Sequence, residues 1–136
     1  MKFKNLHIIL IINVLTIFTV KSQVPTVQDC MGAIPICQNI YSNTTSYHGM
    51  GNYPNEVSYN NCLYLGGESN SVWYVFTVQS SGLFRFVLTP NSSSDDYDWA
   101  VFNLTNYSCS NIYSTPSMMV SCNASGYTGS TGISTP

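Results

Sequence analysis

The stretch Ser71-Val72-Trp73-Tyr74-Val75-Phe76-Thr77-Val78, followed by Gln79-Ser80-Ser81-Gly82 and then Leu83-Phe84-Arg85-Phe86-Val87-Leu88-Thr89, carries the fold-class reading. Both flanking runs are dense in β-branched and aromatic residues, which suit a pleated, half-buried surface, and the polar segment with Gly82 between them is a turn. Alternation in the second run places Phe84, Phe86 and Leu88 on one face, with Leu83, Arg85 and Val87 on the other. The pair is therefore expected to form an antiparallel hairpin.

Working outward, Pro90 to Asp96 reads as a loop, Tyr97 to Leu104 as a third strand and Met118 to Cys122 as a fourth. Upstream, Pro25, Pro35 and Pro54, with Asn and Gly clusters at 43–46 and 49–52, break any helical period, so the segment from Val24 to Cys62 is expected to be irregular. The tail from Asn123 to Pro136 is rich in Gly, Ser and Thr and reads as a loop without a closing strand. Strands separated by polar turns, with no helical segments between them, predict an all-β, antiparallel β-sandwich of jelly-roll type over 23–136.

The chain opens Met1-Lys2-Phe3-Lys4, a short basic segment, and continues with a largely apolar run from Leu6 to Val20. Residues 1–22 are read as a helical signal peptide, with Val20-Lys21-Ser22 ending on a small residue at a plausible cleavage point. The apolar run is short for a membrane span, and an uncleaved anchor is the competing reading. Export to the cell surface or medium follows, with secretion machinery as a partner and no stable membrane span after cleavage.

Loss of that segment removes Lys2, Lys4 and Lys21. Arg85 is then the sole base against Asp29, Glu56, Glu68, Asp95, Asp96 and Asp98, a net charge of −5. Neutralising phosphates takes clustered Lys and Arg, so nucleic-acid binding is excluded. All five cysteines, Cys30, Cys37, Cys62, Cys109 and Cys122, lie beyond the signal and so mature where disulfides persist. An odd count leaves one thiol free or bonded outside the chain. The expected pairing is Cys109 with Cys122, across a segment that could fold back as a turn, with a second bridge among Cys30, Cys37 and Cys62. Zinc is the rival use of these cysteines, but no C-x2-C pair is present.

Three constellations could carry chemistry. Asp95, Asp96 and Asp98, with Glu68, offer the oxygens that Ca²⁺ takes, and in an extended chain Asp96 and Asp98 share a face. A solvated turn is the alternative, since the order of a dedicated calcium loop is lacking. Trp73, Tyr74, Tyr97 and Trp99, with Tyr41, Tyr47, Tyr53, Tyr59 and Tyr64 upstream, could stack on sugar rings or could be core. Catalysis has little to draw on: His48 stands in a Gly/Asn-rich loop without a marked activating partner, so no catalytic residue is assigned and the chain is read as a non-enzyme. Asn-x-Ser/Thr matches occur at Asn43, Asn91, Asn103, Asn106 and Asn123, as a chain of this composition produces by chance.

Several strings taken together resemble a known module: Asp29-Cys30-x-Gly32-Ala33-Ile34-x-Ile36-Cys37, Asn61-Cys62-Leu63, Gly67-Glu68-x-Asn70-Ser71-Val72-Trp73-Tyr74, Phe84-x-Phe86-x-Leu88, Asp96-Tyr97-Asp98-Trp99-Ala100-Val101-Phe102 and Val120-Ser121-Cys122-Asn123. They look like the N-terminal β-sandwich of gliding-motility-associated, type IX secretion substrate proteins, which is similar to pre-peptidase C-terminal and CUB-like jelly rolls. The resemblance implies a non-enzymatic adhesion or binding domain, with an extracellular protein or carbohydrate as ligand. It also implies further strands after Gly129, so that 23–136 would be an incomplete sandwich with a partner for the fifth cysteine elsewhere. An accessory domain of a secreted protease or glycosidase is the alternative function.

Overall fold

A computed structural model describes residues 22–58, 62–63 and 68–133. The expected signal peptide, apart from Ser22, lies outside the described residues, as do Tyr59 and Tyr64. Six short strands follow in order: β1 (Ile34–Pro35), β2 (Tyr74–Val75), β3 (Phe86–Leu88), β4 (Trp99–Phe102), β5 (Met119–Asn123) and β6 (Thr131–Ile133). Single 3-10 turns form at Cys30–Gly32, Cys109–Asn111 and Pro116–Met118, and the described residues contain no α-helix. The fold is thus strand-based, as the alternation predicts.

The strands form three two-stranded sheets, β1 with β2, β3 with β6 and β4 with β5. The best developed is β4–β5, antiparallel, with Trp99 opposite Asn123, Ala100 opposite Cys122 and Val101 opposite Ser121. The register then shifts so that Phe102 faces Met119, leaving Val120 as an extra residue that bulges outward and is exposed. The bulk of Trp99, Val101 and Phe102 gives this strand apolar contacts on both faces, and every residue in it is half-buried.

The expected hairpin between 71–78 and 83–89 does not form as a ladder. Instead β2 pairs in parallel with β1, where Ile34 N–H donates to the Trp73 carbonyl at 2.9 Å and Ile36 N–H to that of Val75 at 2.8 Å. β3 pairs antiparallel with β6. The two arms still meet through their side chains: Phe76 stacks on Phe84 with centroids 4.4 Å apart, and the contacts continue through Phe86 to Trp99. The presence of β6 corrects the reading of the tail as loop. Gly132 makes that strand possible, because its φ of +145° is outside the usual L-residue range and a Cβ there would collide with the Phe86 carbonyl. A Thr-Gly-Ile run has no alternation to announce it.

Between β4 and β5 the chain turns back through a long connection, residues 103–118. Ser108 N–H donates to Asn111 Oδ1 at 3.0 Å and Pro116 opens the last 3-10 turn, so the segment holds its own shape. It buries Ile112 and Met118, which with Cys30 and Val57 form the core. Leu63, Trp73, Phe102, Leu104 and Cys109 pack around them.

The disulfides join Cys30 to Cys109, Cα atoms 5.7 Å apart, and Cys62 to Cys122, 6.3 Å apart, leaving Cys37 free and exposed. This corrects the expected Cys109–Cys122 bridge. The 103–118 connection turns the chain back from β4 to β5, but its 3-10 turn at Cys109–Asn111 sets Cys109 against Cys30 in the core, while Cys122 lies in β5 opposite Ala100. Cys30→Ala should lower stability by about 2–5 kcal/mol, as expected when a bridge closing a long loop is lost. Cys37→Ala should change it by no more than about 0.5 kcal/mol. Urea midpoints of the two variants under oxidising conditions check the contrast.

Candidate functional site

Two groups of polar side chains stand out, one interior and one at the surface. The interior group begins at Asp29, which is fully buried beside Cys30. Its Oδ2 accepts from Thr26 N–H at 2.5 Å, Thr26 Oγ1 at 2.7 Å and Asn52 N–H at 3.1 Å, and its Oδ1 accepts from Tyr53 N–H at 2.6 Å. Gly51 leaves room for this carboxylate, since a Cβ there would overlap it. Burial alone would raise the Asp29 pKa, but the donors from Thr26, Tyr53 and Asn52 outweigh it and hold the group below its ordinary value.

Glu56 and Glu68 extend the same group. Glu56 Oε2 accepts from Cys30 N–H at 2.7 Å, and Glu56 N–H donates to Glu68 Oε2 at 3.3 Å. Glu68 Oε1 accepts from Trp73 Nε1–H at 2.7 Å and from the Ser71 hydroxyl at 3.1 Å. Burial, with smaller contributions from the negative charges of Glu68 and Asp29, pushes Glu56 up from 4.5 to about 7 against the lowering bond from Cys30. Hydrogen-bond donors, rather than a cation, satisfy these three acids. Their effect is to clamp the 51–57 loop and β2 onto the Asp29–Cys30 turn.

Glu68 is therefore placed apart in role from the acidic loop with which it was expected to share calcium. In that loop Asp95 N–H donates to the Ser92 carbonyl, and the Asp95 carbonyl accepts from Gly129 N–H at 2.9 Å. Asp96 and Asp98 are exposed, and slight burial and then the Asp96 charge raise the Asp98 pKa. Among the described residues no set of three or more His, Cys, Asp or Glu side chains is arranged to hold a metal ion.

The aromatic residues divide by type. Trp73 is half-buried, with its ring 5.7 Å from that of Phe102, and Trp99 packs edge-on to Phe86 while its Nε1–H donates to Thr131 Oγ1 at 2.9 Å. Both tryptophans belong to the packing. Tyr53 ties its hydroxyl to the Gln23 carbonyl at 2.6 Å.

The surface group gathers four tyrosines, Tyr41, Tyr47, Tyr74 and Tyr97, around Tyr74. Tyr41 meets Tyr74 edge to face at 5.6 Å, and the Asn43 amide donates to Tyr47 OH at 3.2 Å and to Tyr74 OH at 3.4 Å. Burial, and then the neighbouring Tyr41, Tyr47 and Tyr97 phenols, raise the Tyr74 pKa against the lowering bond from Asn43, so Tyr74 stands at the centre of the group. The rings of Tyr41 and Tyr97 are exposed. Asn43 was expected only as a sequon, and Asp29 and Glu56 only as charges. The Thr26-x-x-Asp29 spacing is the single local signal of the buried clamp, whereas nothing local links residues 41–47 to 74 and 97.

No family model matches the chain, and neither a curated protein nor a solved structure matches it.

The clamp has a pH signature. Glu56 holds its proton to higher pH when folded than when unfolded, so its contribution is present below about 4.5 and lost as pH rises through about 7. Asp29 acts in the opposite sense, its contribution being present above the usual carboxylate range and lost in strong acid. Urea midpoints should therefore fall between roughly pH 5 and pH 8, and Glu56→Gln should flatten that slope. An equally steep slope in the variant would rule out Glu56 as its source.

Proposed function

We propose that this chain is an exported, non-catalytic binding module: a signal peptide over 1–22 followed by a jelly-roll-type β-sandwich of the kind found at the front of gliding-motility-associated surface proteins. Its place of action is the medium or the outer cell surface. The observation that carries the binding reading is the tyrosine cluster of Tyr41, Tyr47, Tyr74 and Tyr97, which keeps two phenol rings exposed instead of using them as core. Exposed Tyr is a favourable contact residue because it offers a rigid apolar ring and a polar tip at low entropic cost. Two disulfides in a small strand-based fold support an oxidising compartment. The near absence of basic residues leaves binding to aromatic and hydrogen-bonding groups.

Export is checked by fusing alkaline phosphatase, which is active only where its own disulfides form, behind the chain. Activity is expected with residues 1–22 present and absent without them. Binding is checked with the exported full chain, labelled and incubated with cell envelopes. Retention should drop about tenfold in a Tyr41→Ala/Tyr97→Ala double variant of unchanged urea midpoint, the loss expected for exposed aromatic anchors. Envelope retention that is absent, or indifferent to these tyrosines, would defeat the reading.

A further inference from the structure

We infer that the cluster formed by Tyr41, Asn43, Tyr47, Tyr74 and Tyr97 is a binding site for a neutral carbohydrate. This rests on the reading of the chain as an exported binding module and names the ligand class of that same site. The orientation of Asn43 supplies the first step. Its Oδ1 accepts from Thr45 N–H at 2.9 Å, which directs its amide nitrogen to the hydroxyl oxygens of Tyr47 and Tyr74. Those two phenol oxygens already accept a bond, so their O–H protons are available to donate to a ligand. The site thus offers phenol donors beside exposed aromatic rings. A sugar answers both features, its hydroxyl oxygens accepting from the phenols while its C–H face lies on a ring.

Charge narrows the ligand further. Asp95, Asp96 and Asp98 adjoin Tyr97 along the chain, and Arg85 is the only Lys or Arg among the described residues. An anionic glycan would meet repulsion and find no cationic cluster to hold it. The Asn43 amide and the Tyr47 and Tyr74 hydroxyls are hydrogen-bond donors that an ammonium or metal ion has no acceptor to answer, whereas the hydroxyl oxygens of a polyol accept from them. Neutral polyols remain. Both tryptophans are committed to internal packing, so the tyrosines alone supply the stacking surface.

The test titrates the exported full chain with soluble dextran, mannan and chitin oligosaccharides, and with alginate as an anionic counterpart, following tyrosine fluorescence and calorimetry. Saturable binding is expected to at least one neutral glycan and not to alginate. Tyr97→Ala should weaken it about tenfold, and Tyr74→Phe, which keeps the ring and removes one donor, about threefold to tenfold. Urea midpoints establish that each variant is folded. No binding to any neutral glycan, alongside tyrosine-dependent retention on cell envelopes, would overturn the carbohydrate assignment while leaving the binding module intact and pointing to a protein ligand. Loss of both the glycan and the envelope signals would remove the underlying reading as well. Glycan binding indifferent to Tyr97→Ala and Tyr74→Phe would overturn the site.

Discussion

The Cys30–Cys109 disulfide is the constraint on which the rest of the described structure depends. It joins the first 3-10 turn to the connection between β4 and β5, and both of its cysteines lie in or against the core of Val57, Ile112 and Met118. That core is small, and the strands around it are two to five residues long. So little buried apolar surface cannot by itself offset the entropy of ordering the chain, and a covalent link that restricts the unfolded state fills the gap. The Cys62–Cys122 bridge does the same for β5.

Around this bridge the chain uses carboxylates, two buried and one half-buried, as fasteners. Asp29, Glu56 and Glu68 collect donors from Thr26, Cys30, Asn52, Tyr53, Ser71 and Trp73, and so gather a loop that has no regular secondary structure of its own. A buried charge must be hydrogen-bonded or paired, and a segment almost free of cations leaves hydrogen bonding as the available route. The cost is desolvation, with a smaller share of mutual repulsion, visible in the raised Glu56 pKa. The same scarcity of cations leaves the tyrosine surface without positive charge, so one compositional fact shapes both the clamp and the candidate binding face.

How much of this was legible depended on the range of each interaction. Strand identity was readable at Trp99–Phe102 and Met119–Asn123, where bulky apolar residues are contiguous in sequence. Pairing at Tyr74–Val75 and Phe86–Leu88 was not, because a hairpin and two separate ladders satisfy the same alternation. The strand at Thr131–Ile133 was hidden altogether, since its pairing rests on a glycine's backbone freedom and not on apolar side chains. The Asp96 charge acts on Asp98, its neighbour two residues on, whereas Glu68, 28 residues before Asp96, is held by the Trp73 indole.

By itself the sequence determined the strand-based class, the cysteine supply, the excess of acid over base and the inventory of tyrosines, since these are properties of composition and local pattern. Only the tertiary structure decided which cysteines bond, which carboxylates are buried, and which aromatics are core and which are surface. Each of those outcomes depends on segments distant in the chain arriving at the same place, as Cys30 does at Cys109 and Tyr41 at Tyr74. No local spacing encodes such meetings; the packing of the whole chain around its few buried residues settles them.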